Sequence, residues 1–187
     1  GDLCDEVFIK ESLVSIKLKY KKIDFIINCA GRASFEKIEN ISLNNWNQII
    51  NDNLTSTFLI TKYLLKVLKK NSNSSIVNIS SIAGRKYSQL SGTHYTASKA
   101  GVIGFTRQLS IELSKYKIRV NSIAPGQVNS NMLNNAMEIN NLKKRDLTRL
   151  IPLGRLAEPS DIANCCAFLC SSNSLYITGT TIDINGG

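Results

Sequence analysis

Four short apolar runs rich in β-branched residues punctuate this chain, and helical stretches fill the spaces between them. The runs are Ile23–Asn28, Ile76–Ser80, Ile118–Ile123 and Thr180–Ile184. Continuous apolar runs of this length predict strands covered on both faces. Residues 5–20 carry apolar positions at helical spacing. A second helix is predicted from an N-cap at Ser42 to about Lys70, where Lys66, Lys69 and Lys70 suit the negative end of the helix dipole. A third runs from Thr93 to Tyr116, and a fourth from a cap at Ser160 to Cys170. Residues 127–151 are polar and Asn-rich; they read as a mobile loop with one or two short helices. Strands alternating with helices imply βαβ units: a Rossmann-type, doubly wound parallel α/β sheet with helices on both faces. Residues 1–187 read as one domain, with no repeat or linker.

Composition narrows the class. With 43% hydrophobic and 20% charged residues the chain is globular rather than disordered. Lys and Arg number 23 against 14 Asp and Glu, a net charge of +9. The excess is either a solvated basic surface or the footprint of an acidic partner. The basic residues are scattered and not interleaved with aromatics, which argues against nucleic acid. The five cysteines form no CxxC pair and three share one apolar helix, as expected of free thiols in a reducing compartment, either the cytoplasm or an organelle with a reducing interior. A metal site is not expected with a single histidine, His94. No stretch has the length of a membrane span, and no membrane partner is expected.

In open parallel sheets, ligands bind at the carboxyl ends of the strands. Three strand ends here are unusually polar or glycine-containing: Asn28-Cys29-Ala30-Gly31, Ser80-Ser81 and Pro125-Gly126. Just beyond the second, Tyr95 and Lys99 stand at i and i+4 on a predicted helix and share a face. A nearby ammonium favours phenolate, which would bring a phenol with an ordinary pKa of about 10 toward working pH. Ser81, closing its strand, has a hydroxyl placed to hold a carbonyl oxygen. Asn53 sits inside a long predicted helix, where Asn competes for backbone hydrogen bonds; a kinked helix holding a water is one use for it. Each of these residues alone is as well explained by an ordinary turn or a solvated face. Their order along the chain gives them meaning together.

In that order the chain resembles the short-chain dehydrogenase/reductase family. The residues that carry the resemblance are Asn28–Gly31, Asn53-Leu54, Asn78–Ser81, Tyr95–Ala100, Arg119–Gly126, Pro152–Arg155 with Glu158-Pro159, Thr178-Gly179 and Asn185–Gly187. The resemblance implies that Tyr95 is the general acid in carbonyl reduction and the base in alcohol oxidation. Lys99 would lower its pKa and bind the nicotinamide ribose, Ser81 would hold the substrate oxygen, and Asn53 would place a water linking Lys99 to solvent. Asn28, Ala30 and Gly31 would line the cofactor, and Asp2-Leu3 would meet the adenine. Pro125, Gly126 and Val128 would flank the nicotinamide, with Ser130 keeping a hydroxyl where the family has Thr. The implied cofactor is NADPH, with NADH as the alternative.

The chain departs from the family at Cys29, at Asn185 and in having no Gly-rich turn or strands before Asp2. It is therefore expected to be the C-terminal three quarters of a domain of about 250 residues, with an uncovered edge at the Asn28 strand. Within the family, Pro152–Asp161 and Tyr176–Gly179 are most similar to 3-oxoacyl-carrier-protein reductases. That implies a small-molecule or acyl-carrier-protein-bound substrate. Arg85, Lys86, Arg107, Lys115 and Lys117 are candidates to meet an acidic carrier, and His94 is a candidate to touch substrate. An NAD(P)-dependent alcohol or sugar dehydrogenase, and a non-catalytic scaffold that keeps the fold, are the alternatives. The family also implies a homodimer or homotetramer packed through the two long helices.

Overall fold

A computed structural model describes residues 1–20, 22–71 and 73–187. Four parallel strands form one sheet: β1 (Phe25–Asn28), β2 (Ser75–Ile79), β3 (Arg119–Pro125) and β4 (Thr181–Ile184), in spatial order β1-β2-β3-β4. The helices are α1 (Glu6–Lys19), α2 (Leu43–Ile50), α3 (Ser56–Leu68), α4 (Thr93–Ser114), α5 (Asn131–Ile139), α6 (Lys144–Arg149) and α7 (Pro159–Cys170). The expected parallel α/β architecture is present. Because the strands are parallel and in register, Asn28, Ile79 and Pro125 all finish at one edge of the sheet.

Register explains the two cores. Ile26, Ile76 and Val120 lie in one row across the sheet. They face a cluster built from Ile9 and Leu13 of α1, Leu59, Leu64 and Leu68 of α3, and Leu109 and Leu113 of α4. On the opposite face Val77 and Ile123 meet Cys166 and Leu169 of α7. The next row on the first face is polar: Asn28, Asn78, Ser122 and Thr181. Its members satisfy one another, with Asn28 Nδ2 donating to Asn78 Oδ1 at 2.8 Å and Asn78 Nδ2 to Thr106 Oγ1 of α4 at 2.9 Å. A buried polar row of this kind specifies register, since a one-residue slip would strand every group.

Two expectations change. The helix from Ser42 to about Lys70 is not uniform: Ser42 caps it as predicted, accepting from the Asn45 N–H at 3.0 Å, but Asn51–Thr55 form a π-helical turn between α2 and α3. The start of α7 is capped by Glu158, not Ser160. Pro159 takes the first helical position, where it lacks only an orphan N–H, and Asp161 accepts from the Glu158 N–H at 2.8 Å. The 127–151 stretch contains two short helices, α5 and α6, which gather Leu133, Leu147, Ile151 and Leu156 into a small core of their own. At the β1 edge Phe25 and Ile27 are about half exposed on the face that α7 covers elsewhere. Among the described residues no helix is long and apolar enough to cross a membrane.

Arg119 joins the sheet to α7. Its buried guanidinium donates to the Leu169 carbonyl at 2.7 Å, the Ser174 hydroxyl at 3.0 Å and the Ser171 carbonyl at 3.3 Å. Thus a cation satisfies carbonyls at the negative end of the helix. Arg119→Ala should therefore destabilise the fold by about 3 kcal/mol in urea unfolding; a loss under about 0.5 kcal/mol would show the contact to be incidental.

Candidate active site

At the carboxyl edge of the sheet lies a cavity of about 250 Å³. Residues from each of the three expected strand ends line it: Gly31 after β1, Ser81 after β2, and Pro125 and Gly126 at the end of β3. Asn53, Tyr95, Lys99, Val128 and Ser130 line it too. The structure thus brings together nine of the expected positions from five separate stretches of chain. Asp2 and Leu3 lie apart, with Ala30 and again Gly31, on a second, more polar depression of about 480 Å³. One Asp2 oxygen there accepts from the Cys4 N–H at 2.8 Å. Asn28 borders only a smaller depression, and its amide is spent on Thr61 and Asn78.

The π-helical turn explains Asn53. Its buried amide donates to the Arg32 carbonyl at 2.9 Å and the Ile49 carbonyl at 3.0 Å, and accepts from the Arg32 N–H at 3.0 Å. Asn53 therefore clamps the turn after β1 onto the helix, rather than offering a free amide to solvent. Gly31 is required by the same contact: a Cβ there would fall 2.4 Å from Asn53 Oδ1 and 3.3 Å from Lys99 Nζ. Alternation at the end of β2 divides two serines. Ser80 Oγ turns inward to the Lys99 carbonyl at 2.8 Å, while Ser81 faces Tyr95 and accepts from the Ala83 N–H at 3.1 Å.

Tyr95 and Lys99, one turn apart on α4, are both buried. Lys99 Nζ donates to the Ile79 carbonyl at 3.0 Å and sits 5.8 Å from the Tyr95 ring centroid. Burial pushes the Lys99 ammonium down to about 8, with the nearby Cys29 acting the other way. Burial also pushes the Tyr95 phenol above its ordinary value, and a side-chain hydrogen bond with Ser81 pulls it partly back. The expected lowering of Tyr95 by Lys99 is therefore not what governs this site. Burial raises the phenol because it is taken out of water, and the Lys99 ammonium is directed at the Ile79 carbonyl.

Several expectations about neighbours also change. His94 is fully buried and lines none of these cavities. Arg85 is paired with Asp183 at 3.1 Å. Lys115 and Lys117 follow the carboxyl end of α4 and precede β3, which puts them at the amino edge of the sheet, opposite the cavity. Residues the sequence reading passed over form the outer wall: Phe35, Leu90 and, from α5, Met132, Leu133 and Ala136. The i, i+1, i+4 apolar spacing of Met132, Leu133 and Ala136 was the available signal. Among the described residues no group of three or more His, Cys, Asp or Glu side chains is placed to hold a metal.

A family model described as enoyl-(acyl carrier protein) reductase matches residues 1–187. The 3-oxoacyl-[acyl-carrier-protein] reductase FabG of Thermotoga maritima is 38% identical over 186 residues, covering 100% of this chain and 74% of that protein. The chain belongs to the short-chain dehydrogenase/reductase family. Its likeness to other members extends to three dimensions. The NAD-bound 3-oxoacyl-[acyl-carrier protein] reductase of Brucella melitensis superposes with a TM-score of 0.85 at 32% identity, over 100% of this chain and 69% of that one. The ligand-free aldohexose dehydrogenase of Thermoplasma acidophilum gives a TM-score of 0.94 at 27% identity, over 100% and 75%. Members of this family with different substrates thus share one scaffold, and the cavity wall must decide between them.

Holding Lys99 buried costs this family member stability. The folded-state value of about 8 lies below the ordinary 10.5, so between those pH values the unfolded chain binds more protons and stability rises with pH. Lys99→Met should therefore be more stable than the parent at pH 7, by roughly 1–3 kcal/mol after the lost Ile79 hydrogen bond is counted. The gap should narrow between pH about 8 and 10. Urea unfolding at both ends of that range checks it; a less stable variant at pH 7 would show that the ammonium is well solvated.

Proposed function

We propose that this chain reduces the carbonyl of a 3-oxoacyl thioester to an alcohol, with Tyr95 as the proton donor and a nicotinamide dinucleotide, NADPH or NADH, as the reductant. The observation that carries the substrate reading is the apolar outer wall of the cavity, made by Phe35, Leu90, Met132, Leu133 and Ala136. Of the two serines on that side Ser88 is taken up locally, its Oγ donating to Ser91 Oγ at 3.0 Å and accepting backbone N–H groups. A sugar would bury most of its hydroxyls against this wall without partners, at a cost of about 1–3 kcal/mol each. An acyl chain would not.

The residues present fit a nicotinamide dinucleotide. Lys99 spends one N–H on Ile79 and has two more at the cavity, where a ribose diol can accept them. Gln127 and Asn129 make the bridge to Ala157, so the pleat turns the Val128 N–H away from that partner; Val128 lines the cavity, where a carboxamide oxygen can accept from it. Pro125 and Gly126 would offer the ring a flat wall. Asp2, Leu3, Asn28, Ala30 and Ser130 belong to the same proposed binding surface, with the Ser130 hydroxyl capping α5.

When bound, the nicotinamide supplies the hydride. The Tyr95 hydroxyl gives its proton to the carbonyl oxygen while the Ser81 hydroxyl holds that oxygen. A phenol kept protonated by burial is a donor at neutral pH, and the ammonium of Lys99 stabilises the phenolate left behind. In the reverse direction the same phenolate accepts the proton of the alcohol. The role proposed for Asn53 is to hold the Gly31–Arg32 turn against Lys99. Half-exposed Phe58 on α3, with Ile111 of α4 more exposed still, favours assembly with a second copy through the long helices.

Tyr95→Phe should lower kcat for acetoacetyl thioester reduction by about a thousandfold and leave dinucleotide affinity within about threefold. Dinucleotide binding with no turnover by the parent would favour a scaffold. Aldohexose oxidation outpacing thioester reduction would overturn the substrate reading.

A further inference from the structure

His94 is the chain's one histidine, and its ring is fully buried. Among the described residues neither ring nitrogen has a hydrogen-bond partner. A buried polar group in that state calls for an explanation. Its Nε2 lies 3.8 Å from Glu36 Oε2, too far for a hydrogen bond but close enough to respond to charge. The Glu36 carboxylate is held from α2 by Asn45 Nδ2, at 3.1 and 3.2 Å.

The setting ties this contact to the cavity. Residues 31–36 run from β1 past the amino end of α4 and supply Ala33 and Phe35 to the cavity wall. The Gly92 N–H pins the segment by donating to the Ser34 carbonyl at 2.7 Å. A Cβ at Gly92 would stand 2.7 Å from His94 Cε1 and 2.8 Å from the Glu36 carbonyl oxygen. Imidazole, glycine and wall segment are therefore in direct contact, and the next residue along α4 is Tyr95.

We propose that His94 and Glu36 form a proton-operated latch that sets the wall segment 33–36 against the Tyr95 helix, which makes His94 a positioning residue for substrate binding. The latch rests on the reading of the cavity as a carbonyl-reducing site. With His94 neutral, the 3.8 Å approach is a packing contact. With His94 protonated, both ring nitrogens are donors, and Nε2–H to carboxylate closes toward a charge-assisted distance of about 2.8 Å. That movement draws in the segment bearing Phe35. Burial lowers the histidine pKa and Glu36 opposes that shift. Glu36 is the one charged group, among the described residues, whose field is felt at the ring. From α2 the facing group is the uncharged Asn45. On α4 itself Tyr95 is held as the neutral phenol, and Lys99 is directed at Ile79.

A single histidine makes the test direct, because its imidazole signals in an ¹⁵N-labelled full chain need no assignment. The latch predicts that Glu36→Gln lowers the His94 pKa by about one unit. It predicts that KM for acetoacetyl thioester varies about threefold as pH falls below the ordinary histidine value of 6.5, with an inflection at the NMR value, while kcat does not follow it. In Glu36→Gln that inflection moves with the histidine, and in His94→Asn it disappears. A His94 pKa unchanged by Glu36→Gln, or a KM profile that keeps its inflection in His94→Asn, overturns the latch. Tyr95→Phe separates the two readings: full activity in that variant defeats the proposed reaction, whereas the NMR coupling of His94 to Glu36 does not depend on it.

Discussion

The amide of Asn53 is the junction on which the site is built. One buried side chain makes three hydrogen bonds to backbone from two directions. The π-helical turn aims it inward, and the turn after β1 closes around it. Gly31 then packs against both Asn53 and Lys99 with no room for a methyl group. An uncompensated amide here would be costly, so the helix irregularity and the glycine are parts of one solution. Around it Lys99 reaches the Ile79 carbonyl and Ser80 reaches the Lys99 carbonyl. Strand, helix and turn are thus cross-linked at the edge where the cavity opens.

Desolvation is the second constraint. It lowers the pKa of Lys99 and raises that of Tyr95, which shifts each group toward its neutral form. The local cost is met by the rest of the fold, where Val77, Ile76, Val120 and Ile123 are fully buried and α7 is anchored by Arg119. Sites that hold ionisable groups out of water commonly trade stability for function in this way.

Much of this was legible in the residues. Period and β-branching locate all four strands, because parallel strands packed on both faces are mostly apolar, with the polar row Asn28, Asn78, Ser122 and Thr181 as the exception. Strand ends rich in Asn, Ser, Gly and Pro mark the edge where the cavity lies. The π-helical turn was foreshadowed only by the awkwardness of Asn53 inside a helix; its form depends on the Arg32 backbone, which sequence spacing does not locate. Ser160 looked like a helix cap, but Pro159 starts the first turn two residues earlier and passes that role to Glu158. The apolar wall and the His94–Glu36 approach join residues from different loops, so no local pattern announces them. The i, i+4 spacing of Tyr95 and Lys99 gives distance to a charge and says nothing of burial, which raises the phenol.

The central claim is that the Asn53 junction holds the Gly31–Arg32 turn in the position that builds the site. Hydrogen exchange of the Arg32 amide in Asn53→Ala tests it most directly, since that N–H donates to the Asn53 side chain. Exchange at residues 30–33 should accelerate by about a hundredfold, with α4 and β3 amides little changed. Unaltered protection at Arg32 in that variant would contradict the account.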